Sequence, residues 1–336
     1  DEAAADATQP RAALAILEVD EAAADRCGAA GSRNRSMRPS PLIILAAVCA
    51  HAAQETSDTT TIFVGGLPSS GTRVAAEALA HLGAKGWGDA AWDSGVGCCE
   101  AMGLLARRVR SASELPTSRA FLSRSDTAAL EGILRKQLHT YRRGRLTKFH
   151  ARTADGGDAL LVKEPELSLL LPWLPLSNAS YVHVVRDGRD QALGASSGWP
   201  LELFGDALVP DKRPSHLRKL TIWAIWNTAT DATLANLGLP SVVVRLEDLR
   251  GERAAQTLRR MADAVLPGAV NVAAAVDALS GDLGTSGKEG TGSLARKDAV
   301  AKWRRSRHRF DAMDDLSKRA LRKYGYSLGR RRRKPS

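Results

Sequence analysis

The 336-residue chain has few of the residues that cross-link small secreted domains or build metal centres. It contains four cysteines; Cys27 and Cys49 lie near the N-terminus, which leaves the adjacent pair Cys98 and Cys99. Adjacent cysteines seldom form a structural bridge, and two thiols provide neither a disulfide framework nor a zinc site. Because 44% of the residues are hydrophobic, a chain of this length can bury a large core without cross-links.

The chain also lacks the lysine of a nucleoside-triphosphate-binding loop, although it has the glycines of one. Residues 60–64 form a β-branched and aromatic run typical of a buried strand, and Gly65 and Gly66 predict a tight turn after it. Apolar residues then recur at helical spacing over residues 74–82. A strand that is followed by a glycine- and serine-rich loop and then by the start of a helix directs several backbone N–H groups at one anion. This segment therefore predicts a phosphate or sulfate site.

The residues of this loop argue against magnesium-dependent nucleotide hydrolysis. In the G-x-x-x-x-G-K-[ST] loop the lysine contacts the terminal phosphates and the hydroxyl binds magnesium. Gly66 and Gly71 keep that spacing, but Thr72 stands at the lysine position and Arg73 at the hydroxyl position. A glycine-rich turn that binds no ligand is the alternative for this segment taken alone.

A second segment places charged residues directly after a predicted strand. Residues 180–185 have the composition of a strand, and the sequence continues Arg-Asp-Gly-Arg-Asp from Arg186 to Asp190. A guanidinium at the carboxyl end of a strand suits a dianionic phosphate, because it is planar and always charged. The alternative is a solvated charge cluster that caps a helix, with Asp187 and Asp190 near the helix N-terminus.

These two segments resemble elements of the sulfotransferases that use 3′-phosphoadenosine 5′-phosphosulfate (PAPS). Residues 67–72, Leu-Pro-Ser-Ser-Gly-Thr, are similar to the P-[KR]-S-G-T-T loop that cradles the 5′-phosphosulfate, and residues 186–193 resemble the R-D-x-R-D-x-A element. The resemblance implies that Arg186 binds the 3′-phosphate of PAPS. The serine that ends the family's second element falls on Gly194 here, so Ser196 or Ser197 is expected to substitute for it.

A third segment near the C-terminus is similar to the R-K-G-x-x-G-x-W-K loop of cytosolic sulfotransferases. Residues 296–304 keep its spacing, but Asp298 and Ala301 replace the two glycines, which would permit positive φ or close backbone approach. A solvated basic helix face is the alternative. With this segment included, the residues predicted to bind PAPS are Ser69, Ser70, Gly71, Thr72, Arg73, Arg186, Ser196, Arg296 and Lys297.

The resemblance implies in-line sulfuryl transfer that needs no metal, with positioning and charge stabilisation as the main sources of rate. Most family members have a cation where this chain has Ser69, so Arg73 is predicted to replace it, with Lys163 second. Glu100 is predicted to accept the proton of the acceptor hydroxyl. Asp89, Asp93 and His150 are the alternatives for that base.

Alternating strand and helix patterns predict an α/β fold, a P-loop-type three-layer sandwich with a mostly parallel sheet flanked by helices. Further strands are predicted at residues 159–162 and 241–246, and a helix at about 217–237 whose Trp223 and Trp226 line the core or an acceptor pocket. Ligands of such sheets bind beyond the carboxyl ends of the strands, so the site residues should meet at one rim.

The N-terminal region predicts a secretory protein. Residues 1–36 are predicted to be disordered or an upstream extension, and residues 37–53 a signal peptide, with a short membrane anchor as the alternative. The sulfotransferase domain is predicted over residues 58–328, and residues 329–336 form a basic tail predicted to be disordered. The expected location is the Golgi lumen or outside the cell, consistent with the glycosylation sequon at residues 178–180.

The net charge of +11 favours anionic partners, including PAPS and an acidic glycan. No zinc-finger or RNA-recognition motif accompanies the basic tail, which argues against nucleic acid as a partner. The predicted function is transfer of a sulfuryl group from PAPS to an acceptor hydroxyl, with carbohydrate as the first choice. The alternatives are a P-loop kinase-like nucleotide-binding enzyme and a degenerate PAPS-binding protein without transfer activity.

Overall fold

The computed structural model of the chain describes residues 60–82, 96–146, 151–152, 158–194, 198–250, 252–266, 271–280 and 301–328. All of them belong to one unit that spans residues 52–336. The predicted leader, the signal peptide or anchor and the basic tail lie outside the described residues, as do Ser196, Arg296 and Lys297. None of the helices in the described ranges combines the length and apolar character needed to cross a membrane.

A sheet with the strand order β2–β3–β1–β4–β5 forms the middle layer. Its strands are β1 (Thr60–Gly66), β2 (Ala151–Arg152), β3 (Asp158–Lys163), β4 (Ala179–Val185) and β5 (Ser241–Arg245). Strands β3, β1, β4 and β5 run parallel to one another, and the two-residue β2 pairs antiparallel with β3 at the edge. The predicted α/β class with a mostly parallel sheet is confirmed.

Helices connect the strands and cover both faces of the sheet, as parallel strands require. They are α1 (Thr72–His81), α2 (Val96–Ala112), α3 (Arg124–Leu146), α4 (Leu167–Leu170), α5 (Gly188–Ala192), α6 (Gly198–Leu208), α7 (Ser215–Leu237), α8 (Leu246–Leu249), α9 (Ala254–Val265), α10 (Val272–Ser280), α11 (Lys302–Arg305) and α12 (Asp315–Lys323).

The sheet separates two hydrophobic cores, because alternate strand residues point to opposite faces. On one face Ile62 and Val184 pack with residues of α1 and α9. On the other face Phe63 and Tyr181 pack with residues of α2, α3 and α7. Each fully buried apolar side chain contributes about 1.5–3 kcal/mol relative to exposure, so both cores hold the sheet and its loops in place.

Two predicted boundaries differ from the structure. Helix α1 begins at Thr72 rather than at Val74, because Gly71 adopts φ 102° and acts as its N-cap. Strand β5 ends at Arg245, and Leu246 begins the short helix α8 instead of ending the strand. The second change matters for the site, since it turns the chain back toward the loop after β1.

Trp223 and Trp226 of α7 are both fully buried and belong to the core. The indole N–H of Trp226 donates to Ser168 Oγ at 2.7 Å. The ring of Trp223 lies against Gly188, where an added Cβ would come within 2.4 Å of it. Both tryptophans are therefore core residues, one of the two roles expected for them.

Candidate functional site

The loop between β1 and α1 is packed so closely that two of its positions require glycine. A Cβ added at Gly66 would lie 2.3 Å from the carbonyl oxygen of Val184 and 2.7 Å from Ser70 Oγ. A Cβ added at Gly71, whose φ is +102°, would lie 2.6 Å from Leu246 Cδ1. Distances below 3 Å of this kind force a shift of the backbone or of a core side chain.

The same loop presents polar groups at the N-terminal end of α1. Ser69 has a left-handed backbone with φ 71°, and the Ser70 N–H donates to the Leu67 carbonyl at 2.9 Å. The turn therefore uses the Ser70 N–H, which was expected to contact an anion. The N–H groups of the first turn of α1 point out of the helix end, as in all helices, which is an arrangement that can receive an anion. Ser70 Oγ is buried and has no hydrogen-bond partner among the described residues.

Two side chains from the turn after β4 hold this loop. Arg186 is 7% exposed and donates through Nη1 to the Ser69 carbonyl at 3.4 Å. Gln191 Nε2 donates to the carbonyls of Leu67 at 3.3 Å and Pro68 at 2.6 Å. Two turns that are far apart in sequence thus meet at one rim of the sheet. Gln191 occupies a variable position of the motif, so sequence reasoning did not select it.

The charged residues after Arg186 are buried rather than solvated. Asp187 accepts from the backbone N–H of Arg189 at 3.0 Å and caps α5. The Arg189 guanidinium also binds both oxygens of Asp187, at 2.9 and 2.7 Å. The helix-capping alternative is therefore correct for Asp187, while Arg186 points to the loop.

Asp190 and Arg189 bind a segment near the C-terminus. Asp190 accepts from the backbone N–H of Trp303 at 2.9 Å and also from that of Ala301. The Arg189 guanidinium lies 3.7 Å from the ring centroid of Trp303, a cation–π contact. Ala301 has φ 60°. This alanine therefore adopts the left-handed backbone conformation that was expected of the glycine in the family's loop. We call these contacts the Trp303 clasp.

The end of β3 brings a cation and a carboxyl pair to the same rim. Lys163 is in register with Val64, and the Glu164 N–H donates to the Val64 carbonyl at 3.1 Å. Burial, followed by the side chain and charge of Glu166, raises the pKa of Glu164, and Lys163 lowers it by less. The shift of the Glu164 pKa favours the protonated form of its carboxyl.

Two of the three predicted catalytic residues lie at the rim formed by the carboxyl ends of the strands. Arg73, half-buried, is the second residue of α1 and directly follows the buried Thr72. Lys163 ends β3 and Arg186 directly follows β4, and these two strands lie on either side of β1. Glu100 lies in α2 with an exposed side chain, and no hydrogen bond or ion pair within the described residues joins it to the loop.

One residue of this rim was missed in the sequence. Arg250 directly follows α8 and is half-buried. Burial, and then the charge of Arg186, lower the pKa of Arg250, while Glu77 raises it by less. Arg250 belongs to no motif discussed above, and only the position of α8 brings its charge within electrostatic range of Arg186.

No group of metal ligands marks this rim among the described residues. In the described part of the chain, no three His, Cys, Asp or Glu side chains group as metal ligands would. A cavity of about 620 Å³ lies along the edge strand β5 instead, lined by Asp231, Val243, Arg260 and Tyr324 among others. Arg245, at the carboxyl end of β5, and Asp248 of α8 also line this cavity.

Two solved structures are similar to this chain. One is a sulfotransferase domain from the curacin biosynthetic pathway, at 14% identity and TM-score 0.46, covering 81% of this chain and 99% of that domain. The other is a sulfotransferase domain from the Synechococcus PCC 7002 olefin synthase, at 16% identity and TM-score 0.45, covering 81% and 96%. No protein-family model and no curated protein matches the chain. The function proposed for this chain rests on its own residues rather than on these likenesses.

Proposed function

We propose that this protein transfers the sulfuryl group of PAPS to an acceptor hydroxyl. The observation that carries the proposal is the contact between the loop after β1 and the turn after β4, through Arg186 and the Ser69 carbonyl. PAPS has an anionic group at each end of its ribose. A helix N-terminus beside a buried guanidinium offers one site for each of them.

The residues of the rim suit such a donor. Ser70 Oγ, buried without a partner among the described residues, and the first-turn N–H groups of α1 would hold the 5′-phosphosulfate. Arg186 would hold the 3′-phosphate. Gly66 and Gly71 keep the loop free of Cβ atoms where the backbone passes closest to Val184 and Leu246. The bound donor supplies the activated sulfuryl group, and the protein supplies position and charge.

Arg73 is the cation that we expect to stabilise charge on the bridging oxygen, with Lys163 as the second choice. Because removal of one preorganised donor typically costs about 10²-fold or more in turnover, Arg73→Ala should lower turnover by at least that factor. Steady-state sulfate transfer measures it, with exposed Arg124 replaced by Ala as the control. If the turnover of Arg73→Ala is unchanged, stabilisation of charge on the bridging oxygen would be assigned to Lys163 instead.

The acceptor and the location are part of the same proposal. A carbohydrate hydroxyl is the first choice, because the chain carries a net charge of +11 and basic surfaces attract acidic glycans. A secretory or Golgi location, with residues 37–53 as signal peptide or anchor, follows from the sequence pattern alone. Glu100 remains the proposed base, and sulfate transfer to glycans, tyrosine peptides and small phenols would identify the acceptor class.

Calorimetry with adenosine 3′,5′-bisphosphate, PAPS and ATP with magnesium tests the proposal, paired with a sulfate-transfer assay. Bisphosphate binding that Arg186→Ala weakens, together with transfer, supports the enzyme. Binding without transfer to any acceptor class would identify a degenerate PAPS-binding protein. Preference for magnesium-ATP would identify a kinase-like enzyme and overturn the proposal.

A further inference from the structure

A run of basic residues lies on the surface next to the Trp303 clasp. Residues 302–309 read Lys-Trp-Arg-Arg-Ser-Arg-His-Arg, with no acidic residue among them. The basic strip, as we call it, consists of four exposed residues of this run, Lys302, Arg304, Arg307 and Arg309. Within the described ranges none of the four forms an ion pair. The strip therefore carries positive charges that the described part of the chain does not neutralise.

The backbone of this run is anchored at both ends. At one end the Trp303 N–H donates to Asp190 at 2.9 Å. At the other end His216 Nε2 donates to the Arg309 carbonyl at 2.9 Å, and the next residue, Phe310, is 7% exposed and packs edge-to-face on the His216 ring. A surface whose backbone is fixed before binding loses less conformational entropy when a ligand binds to it.

The acidic side chains of the neighbouring helices are engaged by arginines outside the basic strip. Arg213 pairs with Asp314 at 2.7 Å and also with Asp211. Arg218 of α7 pairs with Asp206 at 3.1 Å. These carboxylates are therefore held by other cations, and the strip keeps its positive charge.

The length of the strip suits a chain of anionic groups better than one small anion. A helix rises about 1.5 Å per residue and an extended segment about 3.3 Å, so residues 302–309 can span up to about 20 Å. Each contact between exposed charges is weak in water. A linear polymer with repeated anionic groups can make several such contacts at once, and linked contacts strengthen one another.

Two features favour a polysaccharide over a nucleic acid as this polymer. The Trp303 ring already contacts the Arg189 guanidinium at 3.7 Å, and Phe310 is buried, whereas single-stranded nucleic acids bind through aromatic rings on which bases stack. The run also begins beside Asp190, four residues after Arg186 in the sequence. A polymer on the strip is therefore next to the proposed donor site, where a sugar hydroxyl can accept the sulfuryl group.

We propose that the basic strip binds a polysaccharide that already carries sulfate or carboxylate groups, and that it holds this polymer as the acceptor. The inference rests on the proposed function and deepens it, because it names the acceptor class and the surface that binds it. The strip contributes affinity for the acceptor, while the loop after β1 and Arg186 bind the donor.

Binding of heparin to the full chain, measured by calorimetry at several salt concentrations, tests the surface. Arg304→Glu combined with Arg307→Glu should weaken heparin binding by roughly 10- to 100-fold, because each reversal replaces an attraction by a repulsion. The affinity of this double variant should also fall less steeply with salt. Neutral dextran, which offers no anionic group, should not bind to the wild type.

A second double variant controls for net charge. Arg107→Glu combined with Arg124→Glu makes the same charge change at exposed positions of α2 and α3. Its heparin affinity should stay within about twofold of the wild type, because long-range effects of net charge are screened by salt. Melting temperatures of all three proteins show whether the fold is kept.

Sulfate transfer to partially desulfated heparin tests the role of the polymer as acceptor. The strip variant should raise the KM for this acceptor by roughly 10-fold or more and leave the KM for PAPS within about twofold, since the donor binds elsewhere. A structural defect would instead change the KM values of both substrates.

The outcomes distinguish this inference from the proposed function. Equal loss of heparin binding in the two double variants, or tighter binding of duplex DNA than of heparin through the strip, overturns the inference. If the wild type still binds adenosine 3′,5′-bisphosphate and transfers sulfate to another acceptor, the proposed function stands. Heparin binding through the strip by a protein that does not bind the bisphosphate overturns the proposed function and, with it, the role of the polymer as acceptor.

Discussion

At the scale of single residues, the loop after β1 shows how a missing Cβ shapes a binding site. Gly66 lets the chain pass the Val184 carbonyl, and Gly71 lets Leu246 pack beneath the start of α1. By contrast, a Cβ added at Gly103 or Gly132 would meet nothing within 4 Å. The same residue type is thus required at the rim of the sheet and replaceable on the outer helices.

Gly66→Ala should destabilise the protein, because the new methyl group would lie 2.3 Å from a backbone oxygen that cannot move alone. The expected loss is about 1–3 kcal/mol, the usual cost of overpacking, and urea unfolding measures it. Gly103→Ala is the control, with an expected gain of roughly 0.5–1 kcal/mol, because glycine in a helix interior is unfavourable. Equal effects of the two changes would contradict this account of the loop.

At the scale of elements, the Trp303 clasp joins α11 to α5. Asp190 binds two backbone N–H groups at the start of α11, and the ring of Trp303 covers the Arg189 guanidinium. Buried charges are tolerated when they are paired and hydrogen-bonded. Asp190 accepts from two backbone N–H groups and Arg189 is paired with Asp187, although Arg189 Nη1 has no hydrogen-bond partner among the described residues. The clasp therefore positions the C-terminal segment over the turn after β4, where Arg186 lies.

Asp190→Ala should release this segment. Since hydrogen bonds to a charged group contribute about 1.5–3 kcal/mol, opening of residues 301–305 should become roughly 10- to 100-fold more frequent. Limited digestion with trypsin would measure this opening as the rate of cleavage after Arg304 and Arg305, which are already exposed. Asp311→Ala, at an exposed position of the next turn, serves as the control. Unchanged cleavage in Asp190→Ala would mean that other contacts hold α11.

At the scale of the whole molecule, stability should depend on pH through the carboxyl pair at the end of β3. Burial and Glu166 raise the pKa of Glu164 above its ordinary 4.5. A group whose pKa is raised by folding stabilises the fold while it is protonated. That contribution is complete below the ordinary pKa and is lost as pH rises through the raised value.

The melting temperature of the wild type should therefore fall between about pH 5 and pH 9 more steeply than that of Glu164→Gln. Other buried carboxyls with raised pKa values, such as Asp190 and Glu247, contribute equally to both proteins, so the difference between the two curves isolates Glu164. Calorimetric melting at several pH values measures the curves. Glu202→Gln, at an exposed position, should follow the wild type; parallel curves for all three proteins would contradict the pKa argument.

Much of the architecture was predictable because its signals are local. The strands β1, β3, β4 and β5 follow from β-branched and apolar runs, and the loop after β1 from its glycines. Their order along the chain implies a parallel sheet, and the carboxyl ends of parallel strands meet at one rim. The prediction that Arg73, Lys163 and Arg186 lie at this rim followed in the same way, since each ends a strand or directly follows a strand or its loop.

The sequence by itself determined the order of strands and helices and the side of the sheet where the candidate site lies, because periodicity and backbone sterics act between near neighbours. Only the tertiary structure decided which side chains from separate turns meet. The contacts of Gln191 with the loop after β1 and of Trp303 with Arg189 are produced by packing. No local pattern encodes such contacts, since they depend on how tightly three turns pack against one another at the rim.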